Sequence, residues 1–340
     1  MIKYHNMPLY DRNEELQSIL TNDIVKLGER KMLQRPLFGT TWSIGRFCNY
    51  DCSYCWPHAR TNKPDYLDFE IYIKSVDEIK KQARENGFTD FHWGFSGGEP
   101  TAYKKMLDLV YHLNDGITPF QSIHMTTNLS PGKMWWKKWC ENTATFQKRS
   151  ISASYHAEFA IEEEFEEKCL QLIEANVGVN INQVMVPKLF WELYERCKRF
   201  YEKGININIL PQRHKTNSSV VDGYTDEMLN LMQTDFPRIN TNGKFFQMSL
   251  FDEDNNEYLL DHSERFNAYG FNKFRDWECA AGFQSIIISG NEVKRGYSCY
   301  DKPLGTLPNF KLFNTAKHCI TPTCACSADS KIPKWKNTTS

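Results

Sequence analysis

A short apolar stretch runs directly into a group of three cysteines: residues 38–57 read FGTTWSIGRFCNYDCSYCWP. The β-branched and aromatic residues of 38–44 are typical of a strand. The cysteines that follow, Cys48, Cys52 and Cys55, have the spacing C-x3-C-x2-C. Three thiolates so close in sequence can hold three corners of one iron–sulfur cluster. On spacing alone, a tetrahedral zinc site with His58 as the fourth ligand is an alternative.

Strand-like and helix-like segments alternate from residue 38 to about residue 214. We predict strands at 38–44, 90–95, 121–127, 149–155, 177–186 and 205–210, and helices at 69–85, 103–113, 133–141, 161–175 and 190–201. This alternation predicts an α/β fold of parallel strands with helices outside. Right-handed crossovers curve such strands into a partial (β/α)6 TIM-like barrel, whose chemistry lies at the carboxyl ends of the strands.

The predicted barrel, residues 37–214, divides the chain into four parts. Residues 1–36 are polar and weakly periodic, and we expect an N-terminal extension that packs on the barrel. Residues 215–278 interrupt the repeat with turns, charges and aromatic side chains, and we predict a connecting region that contacts substrate. Residues 279–335 are predicted to form a small C-terminal α+β cysteine-rich module.

A second motif, Ser96-Gly-Gly-Glu-Pro100, follows the second predicted strand. Found one β-α unit after the three cysteines, it resembles the radical S-adenosylmethionine (radical SAM) superfamily over residues 38–214. The resemblance implies that the three cysteines hold a [4Fe-4S] cluster, and the two motifs together favour this interpretation over zinc. It further implies that the aromatic Tyr54 and the motif residues Gly97, Gly98, Glu99 and Pro100 bind SAM. We expect the glycines to let the backbone approach this ligand closely.

Further polar residues of the predicted barrel are candidates for SAM or substrate contacts by the same resemblance. Thr127 and Asn128 end the third strand, and Ser152 and Ser154 share one face of the fourth. Polar residues that are merely satisfied inside the barrel are an equal alternative. Other inward or nearby candidates are Asn180, Asn182, Asn206, Asn208, His156 and Glu158.

Five more cysteines lie near the C-terminus: Cys279, Cys299, Cys319, Cys324 and Cys326. A cysteine, a hairpin with a glycine turn and later cysteines resemble the SPASM and twitch modules that follow the barrel in many radical SAM enzymes. The resemblance implies one auxiliary [4Fe-4S] cluster held by four of the five, which we predict to be all but Cys326. A full SPASM module carries more cysteines and two clusters, and a four-cysteine zinc site is an alternative.

The composition excludes several classes of protein. A net charge of −1 over 340 residues excludes a broadly basic nucleic-acid-binding surface. The sequence contains no run of about 20 apolar residues, so no membrane span is predicted. The first ten residues lack the apolar core of a signal peptide. We therefore expect a cytoplasmic, reducing location, in which clustered cysteines indicate metal. The dispersed Cys140, Cys169 and Cys197 are predicted to be small buried residues of helices.

The resemblance implies reductive cleavage of SAM by an electron from a donor such as flavodoxin or ferredoxin. The resulting 5′-deoxyadenosyl radical then abstracts hydrogen from a substrate. Because SPASM and twitch modules most often accompany peptide or protein modification, a peptide or protein is our first expectation. The alternatives are a nucleobase, nucleoside or small metabolite, and, in a different class, a non-catalytic iron–sulfur or zinc-binding interaction protein.

Overall fold

A computed structural model describes residues 23–55, 60–216, 219–239, 247–260, 270–324 and 326–336. His58, the proposed fourth zinc ligand, and most of the expected N-terminal extension lie outside these ranges. Within them, no helix is both long enough and apolar enough to cross a membrane.

The described elements follow the predicted alternation of strands and helices closely. The strands are β1 Ile24–Glu29, β2 Leu37–Ser43, β3 Asp90–Ser96, β4 Gln121–Thr127, β5 Lys148–Tyr155, β6 Gly178–Met185, β7 Asn206–Pro211, β8 Met248–Asp252, β9 Glu257–Leu260, β10 Glu278–Cys279, β11 Ser285–Ser289, β12 Glu292–Lys294, β13 Gly305–Thr306, β14 Asn309–Phe310, β15 Lys317–His318 and β16 Lys334–Trp335. The α-helices are α1 Arg30–Leu33, α2 Phe69–Glu85, α3 Met106–His112, α4 Lys133–Asn142, α5 Glu162–Glu174, α6 Phe190–Glu202, α7 Asp226–Thr234 and α8 Ser327–Ser330.

The main sheet confirms the predicted parallel α/β arrangement. Strands β2 to β7 are hydrogen-bonded in chain order, and each neighbouring pair is parallel. The structure adds a parallel strand that the alternation did not predict, because β11 pairs with β2 from Ser285↔Gly39 to Ser289↔Ser43. Strands β12 to β14 continue the sheet in antiparallel fashion. The cysteine-rich segment is therefore joined to the main sheet by backbone hydrogen bonds.

Alternation of side chains gives the parallel sheet one apolar and one polar face. On β5, Ile151, Ala153 and Tyr155 are buried, and Tyr155 packs edge-on against Phe165 of α5 and Phe200 of α6. The helices thus cover the apolar face. Burial of each such large side chain contributes about 2 to 3 kcal/mol. Cys169 and Cys197 are buried in these two helices, as predicted, and Cys140 in α4 is half-buried.

The opposite face of the sheet is lined with short polar side chains. Ser152 and Ser154 of β5 pair with Asn180 and Asn182 of β6. These asparagines pair in turn with Asn206 and Asn208 of β7. Asn182 Oδ1 accepts hydrogen bonds from Asn180 Nδ2 (3.1 Å) and Asn208 Nδ2 (3.2 Å). Asn182 therefore joins three of the four asparagines, whereas Asn206 Oδ1 accepts from Ile239 N (2.9 Å).

A second, antiparallel sheet combines distant parts of the chain, and the sequence analysis did not predict it. Its strand order is β15-β10-β16-β1-β8-β9. Strand β1 lies between β16, through Lys26↔Trp335, and β8, through Leu27↔Leu250. Buried apolar residues of this sheet, including Leu27 and Leu250, form a separate core with Cys279, Cys319 and Cys324.

Candidate active site

The loop that carries Cys48, Cys52 and Cys55 leaves the carboxyl end of β2, as the barrel prediction required. Backbone hydrogen bonds from Thr61 N to Arg46 O (2.8 Å) and from Cys48 N to Thr61 O (3.4 Å) close the loop. Asp65 Oδ1 accepts from Arg46 N (2.8 Å) at its base. These bonds hold residues 46–48 next to Thr61 and Asp65.

The glycine motif after β3 lies directly against the start of the cysteine loop. Gly98 N donates to Gly45 O (2.8 Å), and Glu99 N donates to Phe47 O (2.7 Å). A Cβ on Gly97, whose φ is +123°, would lie 2.2 Å from Gly45 O, and a Cβ on Gly98 would lie 2.2 Å from Phe47 O. The absence of side chains therefore lets the two loops meet, which is a different reason from the ligand approach that we expected.

Glu99 connects the motif to the end of β4. Its buried carboxylate accepts hydrogen bonds at Oε1 from Thr101 N (2.9 Å), Thr101 Oγ1 (2.6 Å) and Thr127 Oγ1 (2.7 Å). Oε2 accepts from Asn128 N (2.6 Å). Burial raises the pKa of Glu99, and these donors oppose that shift. Pro100 starts the short 3-10 helix that follows. The structure thus brings Glu99, Pro100, Thr127 and Asn128 together.

Asn128 connects this network to the cysteine loop. The serines of β5 lie on the opposite face of the sheet from the side chain of Thr127. Asn128 Nδ2 donates to Asn49 Oδ1 (2.9 Å), directly after Cys48. In the parallel register, Thr127 pairs with Ala153, so its side chain lies on the helix side of the sheet. Thr126 pairs with Ser152 on the polar face. Thr126, which the candidate set omitted, is therefore the β4 neighbour of the predicted serine pair.

Two side chains that follow β5 reach the cysteine loop. Tyr54 Oη lies 2.7 Å from His156 Nδ1, and the two rings stack with centroids 5.9 Å apart. Burial lowers the pKa of His156 to about 4, so the imidazole is neutral at pH 7. Glu158 accepts from Ser53 N (2.8 Å) and Ser53 Oγ (2.6 Å). His156 and Glu158 thus brace the loop between its second and third cysteines.

The three thiols of the loop have the chemistry that an iron–sulfur cluster requires. All three are free of disulfides. Burial raises the pKa of Cys48, and burial with the charge of Glu158 and the other two thiolates raises the pKa of Cys52 to about 12. Close thiolates that repel one another fit a cationic iron centre. Across the described ranges, no three His, Cys, Asp or Glu side chains converge on the position of one metal ion.

A second group of thiols lies where β10 meets the C-terminal strands. Cys279, Cys319 and Cys324 are buried, and Cys299 and Cys326 are half-buried. Burial raises the pKa of Cys299 and Cys324 to about 12, and Asp329 and Cys279 add to both shifts. Cys279 also raises the pKa of Cys319.

Charged side chains surround this second group. Buried Lys334 donates from Nζ to the carbonyls of Asp329 (2.6 Å) and Ile332 (2.9 Å), and has no carboxylate partner in the described chain. Asp329 Oδ2 accepts from Ser298 N (2.6 Å), and Asp329 Oδ1 has no partner among the described residues. An anionic thiolate cluster would balance the buried ammonium of Lys334, so the donor set fits the predicted group. Sequence patterns did not single out Lys334 or Asp329.

Comparison with known proteins assigns the family. The Radical SAM superfamily profile matches residues 42–234, more than half of the chain. One similar solved structure is anSMEcpe with bound AdoMet, at 18% identity over 54% of this chain and 56% of that chain (TM-score 0.41). Another is anSMEcpe with AdoMet and the Kp18Cys peptide, at 16% identity over 79% and 77% (TM-score 0.49).

The chain thus spans little more than half the length of the first of these structures. No curated protein matches it significantly. Enzymes of the superfamily use a [4Fe-4S] cluster and SAM and take an electron from a donor. On the extent of the profile match, this chain belongs to the radical SAM superfamily.

Proposed function

We propose that Cys48, Cys52 and Cys55 hold the [4Fe-4S] cluster of this enzyme and that SAM binds beside it. The single observation that carries the proposal is the pair of backbone hydrogen bonds that joins the cysteine loop to the glycine motif. These bonds bring the two motifs of the family together at the carboxyl ends of β2 and β3. We further propose that residues 37–214 curve into a partial barrel whose polar face surrounds the ligands.

The residues of the chain position and enclose the reactants. Gly97, Gly98, Glu99 and Pro100 form the turn beside the cluster loop, and the proposed SAM contacts are completed by Tyr54, Thr127, Asn128, Ser152 and Ser154. When bound, the cluster and SAM would supply the 5′-deoxyadenosyl radical chemistry by which hydrogen is abstracted from a substrate. The Tyr54–His156 pair is well placed to cover the loop and exclude water from the reaction.

We also propose an auxiliary [4Fe-4S] cluster in a twitch-like module of residues 279–335. Its ligands are Cys279, Cys299, Cys319 and Cys324. Cys326 is the reserve ligand, because burial and Asp329 raise its pKa, whereas Cys279 contributes to the raised pKa of each of Cys299, Cys319 and Cys324. The buried ammonium of Lys334 is held by backbone carbonyls and the Phe274 ring and has no carboxylate partner in the described chain, which supports an anionic group at this position.

For the substrate we propose a peptide or protein. The support is the cysteine pattern of the C-terminal module, which resembles modules that accompany peptide modification. Tyr297 and Tyr300 flank Cys299 and are 47% and 76% exposed, so they offer contact area to an extended chain.

The test is anaerobic reconstitution followed by reduction with SAM. Two cubanes require about eight irons per chain, and 5′-deoxyadenosine should form on reduction. Cys52→Ala should lose about four irons per chain and form no deoxyadenosine. Cys319→Ala should lose a similar amount of iron but still form deoxyadenosine. Cys140→Ala, a dispersed helix cysteine, is the matched control and should keep both. Deoxyadenosine from Cys52→Ala, or zinc without iron, would contradict the proposal.

Substrate class is tested by stimulation of deoxyadenosine formation in the reconstituted enzyme. A mixed pool of short peptides is compared with an equimolar mixture of nucleosides. Stimulation by the peptides alone supports the proposal, and stimulation by the nucleosides alone overturns it.

A further inference from the structure

A cavity of about 100 Å³, lined by both polar and apolar residues, lies at the end of the main sheet opposite the cysteine loop. Gly39, His92 and Ser285 line it near the starts of β2, β3 and β11. These residues lie side by side, since Gly39 pairs with both His92 and Ser285. At about 3.3 Å per residue, His92 lies about 13 Å from Ser96 at the other end of β3. The cavity is therefore separate from the proposed SAM site.

Three charged side chains close this end of the sheet. Glu29 and Lys31, at the junction of β1 and α1, form an ion pair of 3.3 Å. Lys331, directly after α8, lines the same cavity, and its ammonium has no ion pair in the described chain. Burial and the two lysines lower the pKa of His92, so the imidazole stays neutral. With His92 neutral, the formal charges of Glu29, Lys31 and Lys331 in the lining sum to one positive charge.

Two buried hydroxyls in the lining, those of Thr40 and Ser285, have no hydrogen-bond partner among the described residues, and Ser285 is the one beside His92 and Gly39. Ser285 is only 7% exposed, and its Oγ is unpartnered among the described residues. Buried polar groups are nearly always hydrogen-bonded, so this hydroxyl indicates a missing acceptor or donor. His92 uses Nδ1 for Ser122 Oγ (2.8 Å), which leaves Nε2 as the ring nitrogen for a ligand.

The size and charge of the cavity indicate which class of ligand it can bind. The volume corresponds to about three waters of liquid, or to one small oxyanion. Water would satisfy Ser285, whereas an oxyanion would satisfy Ser285 and also form a charged hydrogen bond with the partly buried ammonium of Lys331. We propose that this cavity binds one small oxyanion, a carboxylate or a phosphate, through Lys331, Lys31 and Ser285. This site does not depend on the proposed cluster or substrate.

The test uses the full chain, purified in chloride and titrated calorimetrically with sodium phosphate or sodium acetate at constant ionic strength. We expect saturable binding of at least one of the two anions at one site per chain. Preference for phosphate identifies a tetrahedral ligand, and preference for acetate identifies a carboxylate.

Three variants separate this site from general surface charge. Loss of a charged hydrogen bond weakens binding by about tenfold or more, which is the expectation for Lys331→Met. Ser285→Ala should weaken binding by about fivefold, while its melting temperature without anion stays at or above that of the wild type. Lys302→Met, an exposed lysine of the same module, is the control and should bind like the wild type. The proposal is overturned if neither anion saturates, or if Lys331→Met and Lys302→Met bind equally well.

Discussion

Replacement of Gly98 by alanine tests whether the glycine motif holds the active-site loops together. The added methyl group would lie 2.2 Å from Phe47 O and 2.3 Å from Arg46 O, whereas real Cβ atoms keep at least 3.0 Å. The cysteine loop must therefore retreat by about 0.8 Å from the motif. That movement stretches two hydrogen bonds, Gly98 N to Gly45 O and Glu99 N to Phe47 O, from 2.8 and 2.7 Å toward the 3.5 Å limit.

The expected destabilisation follows from these two losses. Each hydrogen bond contributes about 1 kcal/mol net, and forcing a methyl group into a packed site costs about 1 to 3 kcal/mol. We therefore expect Gly98→Ala to lower the free energy of unfolding of the metal-free chain by about 3 to 5 kcal/mol. A glycine needed only for ligand approach would leave this free energy unchanged.

Urea unfolding of the metal-free protein, monitored by tryptophan fluorescence, measures the effect. Gly178→Ala is the matched control, because its Cβ would make ordinary contacts of 3.6 and 3.8 Å, and it should stay within about 0.5 kcal/mol of the wild type. If Gly98→Ala unfolds at the same urea concentration as Gly178→Ala, the loop-packing explanation is refuted. Iron content after reconstitution is the second readout and should fall with stability.

Three further changes have defined outcomes. Glu158→Gln weakens both hydrogen bonds from the exposed Ser53. The time for which the protein retains its iron in the presence of a chelator should shorten, while the free energy of unfolding changes by less than about 1 kcal/mol. An unchanged retention time would argue against a bracing role for Glu158. Lys334→Met removes a buried donor from at least two carbonyls and should lower the unfolding free energy by about 2 to 4 kcal/mol in urea; wild-type stability would contradict this. Burial lowers the pKa of His124 from 6.5 to about 4, so the unfolded chain takes up the proton first and stability falls as pH drops through this window. His124→Gln should flatten that fall by up to about 3 kcal/mol in urea titrations at pH 4 and 7, and parallel pH profiles would refute it.

The local features of the main sheet were predictable because they depend on residues close in sequence. Periodic apolar residues locate every strand from β2 to β7, and Asn86-Gly87 marks the end of α2 because Gly87 takes a φ of +86°. The order of the strands follows from the handedness of β-α crossovers. The meeting of the two motifs follows in turn, since adjacent parallel strands end at the same edge.

The remaining features depend on contacts between distant residues. Strands such as β10, β15 and β16 have two residues each, too few for an alternating pattern. The parallel pairing of β11 with β2 carries no local signal, because a buried run such as Ser285–Ser289 is equally compatible with a separate hairpin. The roles of single side chains depend on loop geometry that composition does not encode. One example is the hydrogen bond from Ser53 N to the carboxylate of Glu158, which lies 105 residues away in sequence.

Strand β1 lies between β8 and β16, so its two edges can form their hydrogen bonds only at different times during synthesis. Residues 24–29 leave the ribosome about 300 residues before residues 334–335, with which they pair. At about 5 to 20 residues per second, one edge of β1 waits for about 15 to 60 s. An unpaired apolar edge is prone to aggregation during such a delay. The loop of Cys48 is therefore synthesised early in translation, whereas the surroundings of Cys279 close only after residues 334–335 have emerged.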